Sequence, residues 1–524
     1  MSKRRIVAAV LLVAALSAPA LACAGDGSPS ENATLHLLEG SELKDMQPIL
    51  DAAEKATGVR IDPTYLGSLE GADRVASGAA GIDGAWFASD KYVALAGAGA
   101  KVLSRVKIAR SPVVLGVRTS VAKSLGWDKG NVTWQQIADA AKAGTFRFAM
   151  TNPTASNSGF SALVSVADAL AGGQALANDT INRDGLKGFL LGQKLSAGSS
   201  GFLVDSFLAE QDRLDGIVNY ESVLVNLNAN PKLTEPLVLV YPTDGVVTAD
   251  YPMMLVNADK RAAYDKVTAY LTRPEVQAEI QKVTARRAAV AGVPADGRLN
   301  SGLLVEASFP GSIDVARDLL AAYSNELRRP ARTIYVLDTS GSMEGARLDS
   351  LKTALSGLTG IDTTLTGQFT QFASREQVTM IDFSNVVGTP QMFTIDSTDA
   401  NSPTMQAVRA YSDSLQAGGG TAIFSALDSA YALAKEAAAA DPTAYVSVVL
   451  MTDGENNSGI PSGELLDRLQ QRPDSERDIR VFTVLFGDAN PQELSDISAA
   501  TGGKVFDART APLDAVFKEI RGYQ

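Results

Sequence analysis

Two hydrophobic patterns alternate along most of this chain. Short apolar or β-branched runs read as strands, and each is followed by apolar residues at helical spacing. Residues 34–38 form such a run, Gly40 and Ser41 a turn, and Leu43, Met46, Leu50 and Ala53 one helix face. A second run spans 59–65 before Gly67 and Ser68, and residues 84–87 precede Ser89 and Asp90 in the same way. Residues 146–151 lead into the polar loop 152–160 and then a helix marked by Leu163, Val166 and Leu170. The pattern predicts an α/β body from Ala33 to about Ser324, without internal repeats or low-complexity tracts. The basic, proline-containing stretch 328–332 marks a boundary.

Beyond it, residues 333–337 read as a buried parallel strand ending in Asp338-Thr339-Ser340-Gly341-Ser342. Leu348, Leu351, Ala354 and Leu355 then recur at helical spacing. Residues 417–421, Ala-Gly-Gly-Gly-Thr, open a helix marked by Ile423, Ala426, Leu427 and Ala430, which brings the Thr421 hydroxyl to its N-terminal end. Residues 446–450, interrupted only by Ser447, form another strand that leads into Thr452-Asp453-Gly454. The runs 378–383 and 479–486 supply two more strands. Open α/β sheets place ligands at the carboxyl ends of their strands, and three such ends can converge here.

Asp338, Ser340, Ser342, Thr421 and Asp453 offer only hard oxygen, with two anionic groups among them. Magnesium suits such a set, because it prefers near-octahedral oxygen coordination and keeps water in part of its shell. Little of the ion's charge is neutralised, so an incoming carboxylate can fill an open position. In this reading Ser340, Ser342 and Thr421 contact the ion, while Asp338 and Asp453 orient the hydroxyls or bridge through water. This makes a binding site rather than a reaction centre. Asp382 and Asp488 also stand at strand ends, where Asp commonly caps a loop, and are left out of the metal set.

These five residues resemble the metal-ion-dependent adhesion site of von Willebrand factor A domains, and the resemblance runs over residues 332–524. It implies a doubly wound, Rossmann-like sheet flanked by helices, a bound Mg2+ or Mn2+, and a protein ligand that donates an acidic side chain to the metal.

The order of elements over residues 33–327 resembles bacterial extracellular solute-binding proteins of the two-lobed, periplasmic-binding-protein-like kind. Residues 111–117 look like the first crossing between lobes and 236–242 like the return, while 215–221 and 251–255 also fit that family's patterning. The resemblance implies a first lobe of 33–112 plus 245 to about 324, a second of 117–240, and a ligand between them. Ser41, Ser68, Ser89, Ser156, Ser158 and Tyr220 are the candidate contacts, neutral donors that suit a small polar or anionic solute. Each serine taken singly also reads as a helix cap. An adjacent tyrosine pair, as some ferric-ion binders use, is missing.

Charge and composition narrow the classes further. A formal net charge of -12 and a pI near 4.9 leave no basic field to draw in nucleic acid. Lys3, Arg4 and Arg5, an apolar run at 6–16 and small residues up to Ala22 read as an export signal, 1–22. That run is too short to span a bilayer, and no later segment replaces it. Cys23 is the only cysteine, and its setting resembles a bacterial lipoprotein lipobox with Ala20 where leucine is usual. Lipidation of Cys23 would anchor the chain on the extracytoplasmic face of the cell membrane, with 23–32 as a flexible tether; secretion is the alternative. The single histidine, His36, alternates with apolar neighbours and reads as a core or edge residue. Paired-histidine zinc sites and histidine-based nucleophile relays therefore have too few parts.

Three functions follow. The first is a membrane-anchored binding protein that engages an acidic protein ligand through its metal site and carries a solute-binding-like module. The second is a transporter-associated solute receptor whose C-terminal domain docks a partner. The third, metal-assisted hydrolysis, lacks an identifiable general base beside the site, so the chain is expected not to be an enzyme.

Overall fold

In the first strand, Ala33–Gly40, Leu35 and Leu37 are buried on one face. A computed structural model of the chain describes residues 33–174 and 176–524; the export signal, Cys23 and the tether lie outside the described residues. Parallel neighbours Val59–Leu66 and Gly84–Trp86 flank Ala33–Gly40; the chain later returns to add Pro252–Leu255 antiparallel to Gly84–Trp86, and the earlier strand Ser104–Lys107 pairs antiparallel with Pro252–Leu255 at the sheet edge. His36 is therefore on an inner strand and not in the core, contrary to the expectation. Period-two alternation turns it away from Leu35 and Leu37, and its exposed Nδ1 lies 3.1 Å from an Asp62 carboxylate oxygen.

The second lobe is built on Ala109–Arg118. That long strand pairs antiparallel with Gly216–Tyr220 and Leu237–Val240 at one end, and with Thr248–Ala249 and Arg287–Ala288 at the other. It is thus the crossing between lobes, and Leu237–Val240 the return. Phe148–Ala149 and Gln193–Leu195 extend the sheet in parallel.

The C-terminal sheet runs in the order Gln391–Thr394, Gln377–Phe383, Ala331–Asp338, Tyr445–Thr452, Arg480–Leu485, Val505–Asp507. All its pairings are parallel except the Gln391–Thr394 edge. Tyr335, Leu337, Val449 and Met451 pack on one face with Leu351 and Leu355 of helix Ala346–Ser356. Ile334, Val336, Val448 and Leu450 pack on the other with Ile423 and Leu427 of helix Ile423–Ala440. Burial on both faces is why these strands read as unbroken apolar runs. The chain winds outward from Ala331–Asp338 in one direction and from Tyr445–Thr452 in the other. These adjacent strands are the topological switch point, and their carboxyl ends border the crevice where such sheets bind ligands.

The units share structure at their junction. Leu195, Leu203 and Phe207 of the second lobe belong to the same hydrophobic cluster as Phe482, Phe506, Phe517 and Tyr523 of the C-terminal domain. Buried Glu376 binds Arg328 of the connecting segment and Arg521 of the last helix, Leu513–Arg521. Burial opposes ionisation of that carboxyl, yet the charges of Arg521 and Arg328 hold it below the ordinary glutamate range.

Candidate metal centre and solute cleft

Strand Ala331–Asp338 delivers Asp338 to the floor of the switch-point crevice, fully buried. Its Oδ1 accepts a hydrogen bond from the Ser340 amide at 2.8 Å, and its Oδ2 accepts one from the Thr452 hydroxyl at 2.6 Å. Burial pushes the Asp338 carboxyl above the ordinary aspartate range, against the pull of the Ser340 and Thr452 hydrogen bonds. The Ser340 and Ser342 hydroxyls lie 3.0 Å apart, and Ser342 Oγ donates to Asp453 Oδ1 at 2.7 Å. Asp453 is itself fully buried at the end of strand Tyr445–Thr452.

Thr421 comes from the glycine loop. It lies just before helix Ile423–Ala440 rather than inside it. A Cβ on Gly454 would stand 3.5 Å from the Ser342 hydroxyl and 3.8 Å from that of Thr421, so both hydroxyls face the same small space. The loop is stitched to the first strand end: Gly418 N donates to Thr339 O at 2.8 Å, and Gly341 N donates to Gly419 O at 3.1 Å. The Thr421 amide donates to Asn457 Oδ1 at 2.7 Å. All five predicted residues therefore meet at one crevice.

The residues present fit a hard divalent cation. Two buried carboxylates and three hydroxyls converge, and Ser342 is exposed, leaving an approach from solvent. Among the described residues no cluster of three or more His, Cys, Asp or Glu could hold a metal, so the set is poor in anionic ligands. Sequence reasoning missed Arg347, whose guanidinium hydrogen-bonds to Asp453 Oδ2 and lies 3.6 Å from Asp488. Asp382, by contrast, accepts a hydrogen bond from the Tyr411 hydroxyl at 3.0 Å, which accounts for it structurally.

Residues 334–519 match the family model described as von Willebrand factor type A domain. Residues 40–283 match that of bacterial extracellular solute-binding protein. The chain is thus a solute-binding-protein-like, two-lobed α/β module followed by a von Willebrand factor A, Rossmann-like domain. No curated protein matches it. Among solved structures, the von Willebrand factor type A protein from Catenulispora acidiphila is 22% identical, with a TM-score of 0.29, covering 37% of this chain and 42% of its own. The ferric binding protein from Campylobacter jejuni is 15% identical, with a TM-score of 0.43, covering 54% of this chain and 96% of its own. Iron-bound HitA from Pseudomonas aeruginosa is 16% identical, with a TM-score of 0.43 and coverages of 55% and 99%.

The six solute-contact candidates are divided by the structure. Ser68, Ser156 and Ser158 sit in a closed seam between the lobes. Asn157 Nδ2 donates to Ser68 Oγ at 2.9 Å across it, and the Tyr92 hydroxyl of the first lobe donates to Pro153 O of the second. Ser158 Oγ lies 2.8 Å from Thr151 Oγ1, 2.7 Å from Ser200 Oγ and 3.4 Å from Ser156 Oγ, so these hydroxyls satisfy one another. Ser89 accepts from the Lys91 amide at the rim. Tyr220 is buried, its ring 5.9 Å from that of Tyr251, and burial drives its hydroxyl pKa upward. Of the six, Ser41 alone lines the cavity of about 430 Å3 at the cleft mouth.

Proposed function

We propose that this chain is a membrane-anchored, extracytoplasmic binding protein that engages an acidic protein ligand through a divalent-metal site in its von Willebrand factor A domain. The observation that carries the reading is the meeting of Asp338, Ser340, Ser342, Thr421 and Asp453 at the carboxyl ends of the two switch-point strands. Mg2+ or Mn2+ bound there would supply a positive charge only partly neutralised by protein. Ser340, Ser342 and Thr421 offer it hydroxyl oxygens, and Asp338 holds the loop through the Ser340 amide. Asp453 fixes the Ser342 hydroxyl. The ligand's carboxylate enters beside exposed Ser342.

The reading is recognition without catalysis. The single histidine stands in the first lobe, paired with Asp62, far along the fold from this crevice. Export and lipidation of Cys23 complete the proposal, and the description of the matching solute-binding family as extracellular supports that placement. Among the described residues no helix is long and apolar enough to cross a membrane. A role as a hinge-bending transport receptor is less well supported, because the C-terminal domain holds both lobes. Asp73 of the first lobe accepts from the Leu365 and Thr366 amides, and Glu210 of the second pairs with Arg480.

Titration of the purified chain with Mn2+ tests the metal assignment. Asp338→Ala and Thr421→Ala should each weaken binding by about tenfold or more, as expected when a ligand or its orienting partner is lost. Unchanged affinity in both variants would remove the assignment.

A further inference from the structure

We propose that Arg347 is a built-in counter-ion of the metal site: its charge occupies Asp453, lowers the site's affinity for the divalent cation, and leaves a bound cation more attractive to an outside carboxylate. This role rests on the metal assignment made above. The Arg347 guanidinium hydrogen-bonds to Asp453 Oδ2, while Asp453 Oδ1 accepts from the Ser342 hydroxyl at 2.7 Å. Asp453 is fully buried, and among the described residues no other cation pairs with it.

Local structure does not favour an arginine at this position. Arg347 is the second residue of helix Ala346–Ser356, where free N–H groups carry the positive end of the helix dipole and acidic side chains are preferred. A cation set against that field needs a compensating partner, and the partner is a metal-site residue 106 positions away. The guanidinium is also confined. A Cβ on Gly487, whose φ is +58°, would stand 3.1 Å from both Cζ and Nη1 of Arg347. The same loop is tied to the site, because the Asp488 amide donates to Asp453 O at 2.8 Å. Helix and loop thus hold the arginine against Asp453, while its side chain stays 37% exposed.

The charge balance follows from these contacts. The five site residues carry two carboxylates, Asp338 and Asp453, and one of them already has a cationic partner. Asp488, 3.6 Å from Arg347, is 92% exposed, so water and salt screen its charge. A divalent cation entering the crevice is therefore repelled by Arg347 and meets a single carboxylate without a cationic partner. Its affinity falls. The charge that the protein leaves uncancelled acts on an anionic group at the open position, so one residue lowers metal affinity and raises carboxylate affinity. An arginine that served only to position Asp453 would do the opposite, since its loss would weaken metal binding.

Mn2+ titration of the full chain, read from the EPR signal of the free ion, tests this. Arg347→Gln keeps a hydrogen-bond donor for Asp453 without the charge and should bind Mn2+ about tenfold more tightly than the wild type. Arg347→Lys keeps the charge and should bind Mn2+ like the wild type. Acetate binding to the Mn2+-loaded chain, followed by water proton relaxation, should weaken in Arg347→Gln. Asp488→Asn changes only an exposed side chain; with that partner gone, the charge of Arg347 falls wholly on the site and Mn2+ affinity should drop. Mn2+ affinity in Arg347→Gln no tighter than that of the wild type, or acetate binding that does not weaken, would overturn the proposal; should that variant not fold, unchanged Mn2+ affinity in Asp488→Asn would do so. Asp338→Ala keeps the two failures apart: if it weakens Mn2+ binding while Arg347→Gln does not tighten it, the metal site stands and the counter-ion falls. No Mn2+ binding by either the wild type or Arg347→Gln removes both.

Discussion

Gly419 shows how one missing side chain shapes the crevice that gathers Asp338, Ser342 and Thr421. Its φ is +84°, and a Cβ there would stand 2.5 Å from Asn385 Oδ1 and 3.3 Å from Ser384 Oγ. Both the left-handed backbone and the close approach disfavour any other residue. Gly418, its neighbour, has nothing within 4 Å of the same added atom and is not in the left-handed region. Gly419→Ala should therefore cost about 1–3 kcal/mol of stability, whereas Gly418→Ala should stay within about 0.5 kcal/mol of the wild type. Urea midpoints of the two variants check this, and because Gly419 precedes Thr421 in the loop, Mn2+ affinity should fall only in Gly419→Ala. Equal midpoints would mean that the crowding against Asn385 is relieved by loop movement and does not constrain the site.

Within a single strand, alternation places a carboxyl where apolar residues belong. Leu35, Leu37 and Glu39 share one face of Ala33–Gly40, and Glu39 is fully buried with neither carboxylate oxygen hydrogen-bonded. Burial, and secondarily the charge of Glu42, push its pKa from 4.5 up to about 8. Tyr65, opposite it on Val59–Leu66, is pushed up to about 12 by burial, Glu39 and Asp45, and Asp45 is itself held by Arg286 at 2.7 Å. The folded chain therefore keeps a proton on Glu39 that the unfolded chain releases, so stability must fall as pH rises from about 5 to about 8. Denaturation midpoints should decline over that window by up to about 1.4 kcal/mol per pH unit, and Glu39→Gln should flatten the decline. Identical pH slopes for the two proteins would place the proton elsewhere. Elements like this one were legible because strand and helix periods differ, and the parallel strands of the C-terminal sheet were plainest because burial on both faces leaves unbroken apolar runs. Gln391–Thr394, an exposed antiparallel edge, carries no such run. The five residues of the proposed metal site were legible because each stands in a short motif at a strand or helix end. Arg347 was not, since its partner Asp453 is 106 residues away.

Across the molecule, the C-terminal domain acts as a clamp on the two lobes. It reaches the first through the Asp73 carboxylate and the second through Glu210 and the Asn152 side chain, which donates to Arg521 O at 3.4 Å. Lys504 also stands 3.7 Å over the Phe202 ring of the second lobe. The shared cluster around Phe207, Phe482 and Phe517 buries apolar surface that either part would expose alone. A junction of this kind couples unfolding of the parts, so differential scanning calorimetry of the wild-type chain should give a single cooperative transition. Glu210 tests the clamp most directly, because its side chain is 13% exposed and that of Arg480 only 4%. Removing one member of such a pair leaves an uncompensated buried charge, at a cost of about 3–5 kcal/mol. Because the loss falls on the junction and not on either core, Glu210→Ala should separate the transition into two, with the lobes and the C-terminal domain melting at different temperatures. A single transition merely shifted downward would mean that the apolar cluster alone couples the domains; two transitions already present in the wild type would mean that they are not clamped and that the lobes keep their hinge.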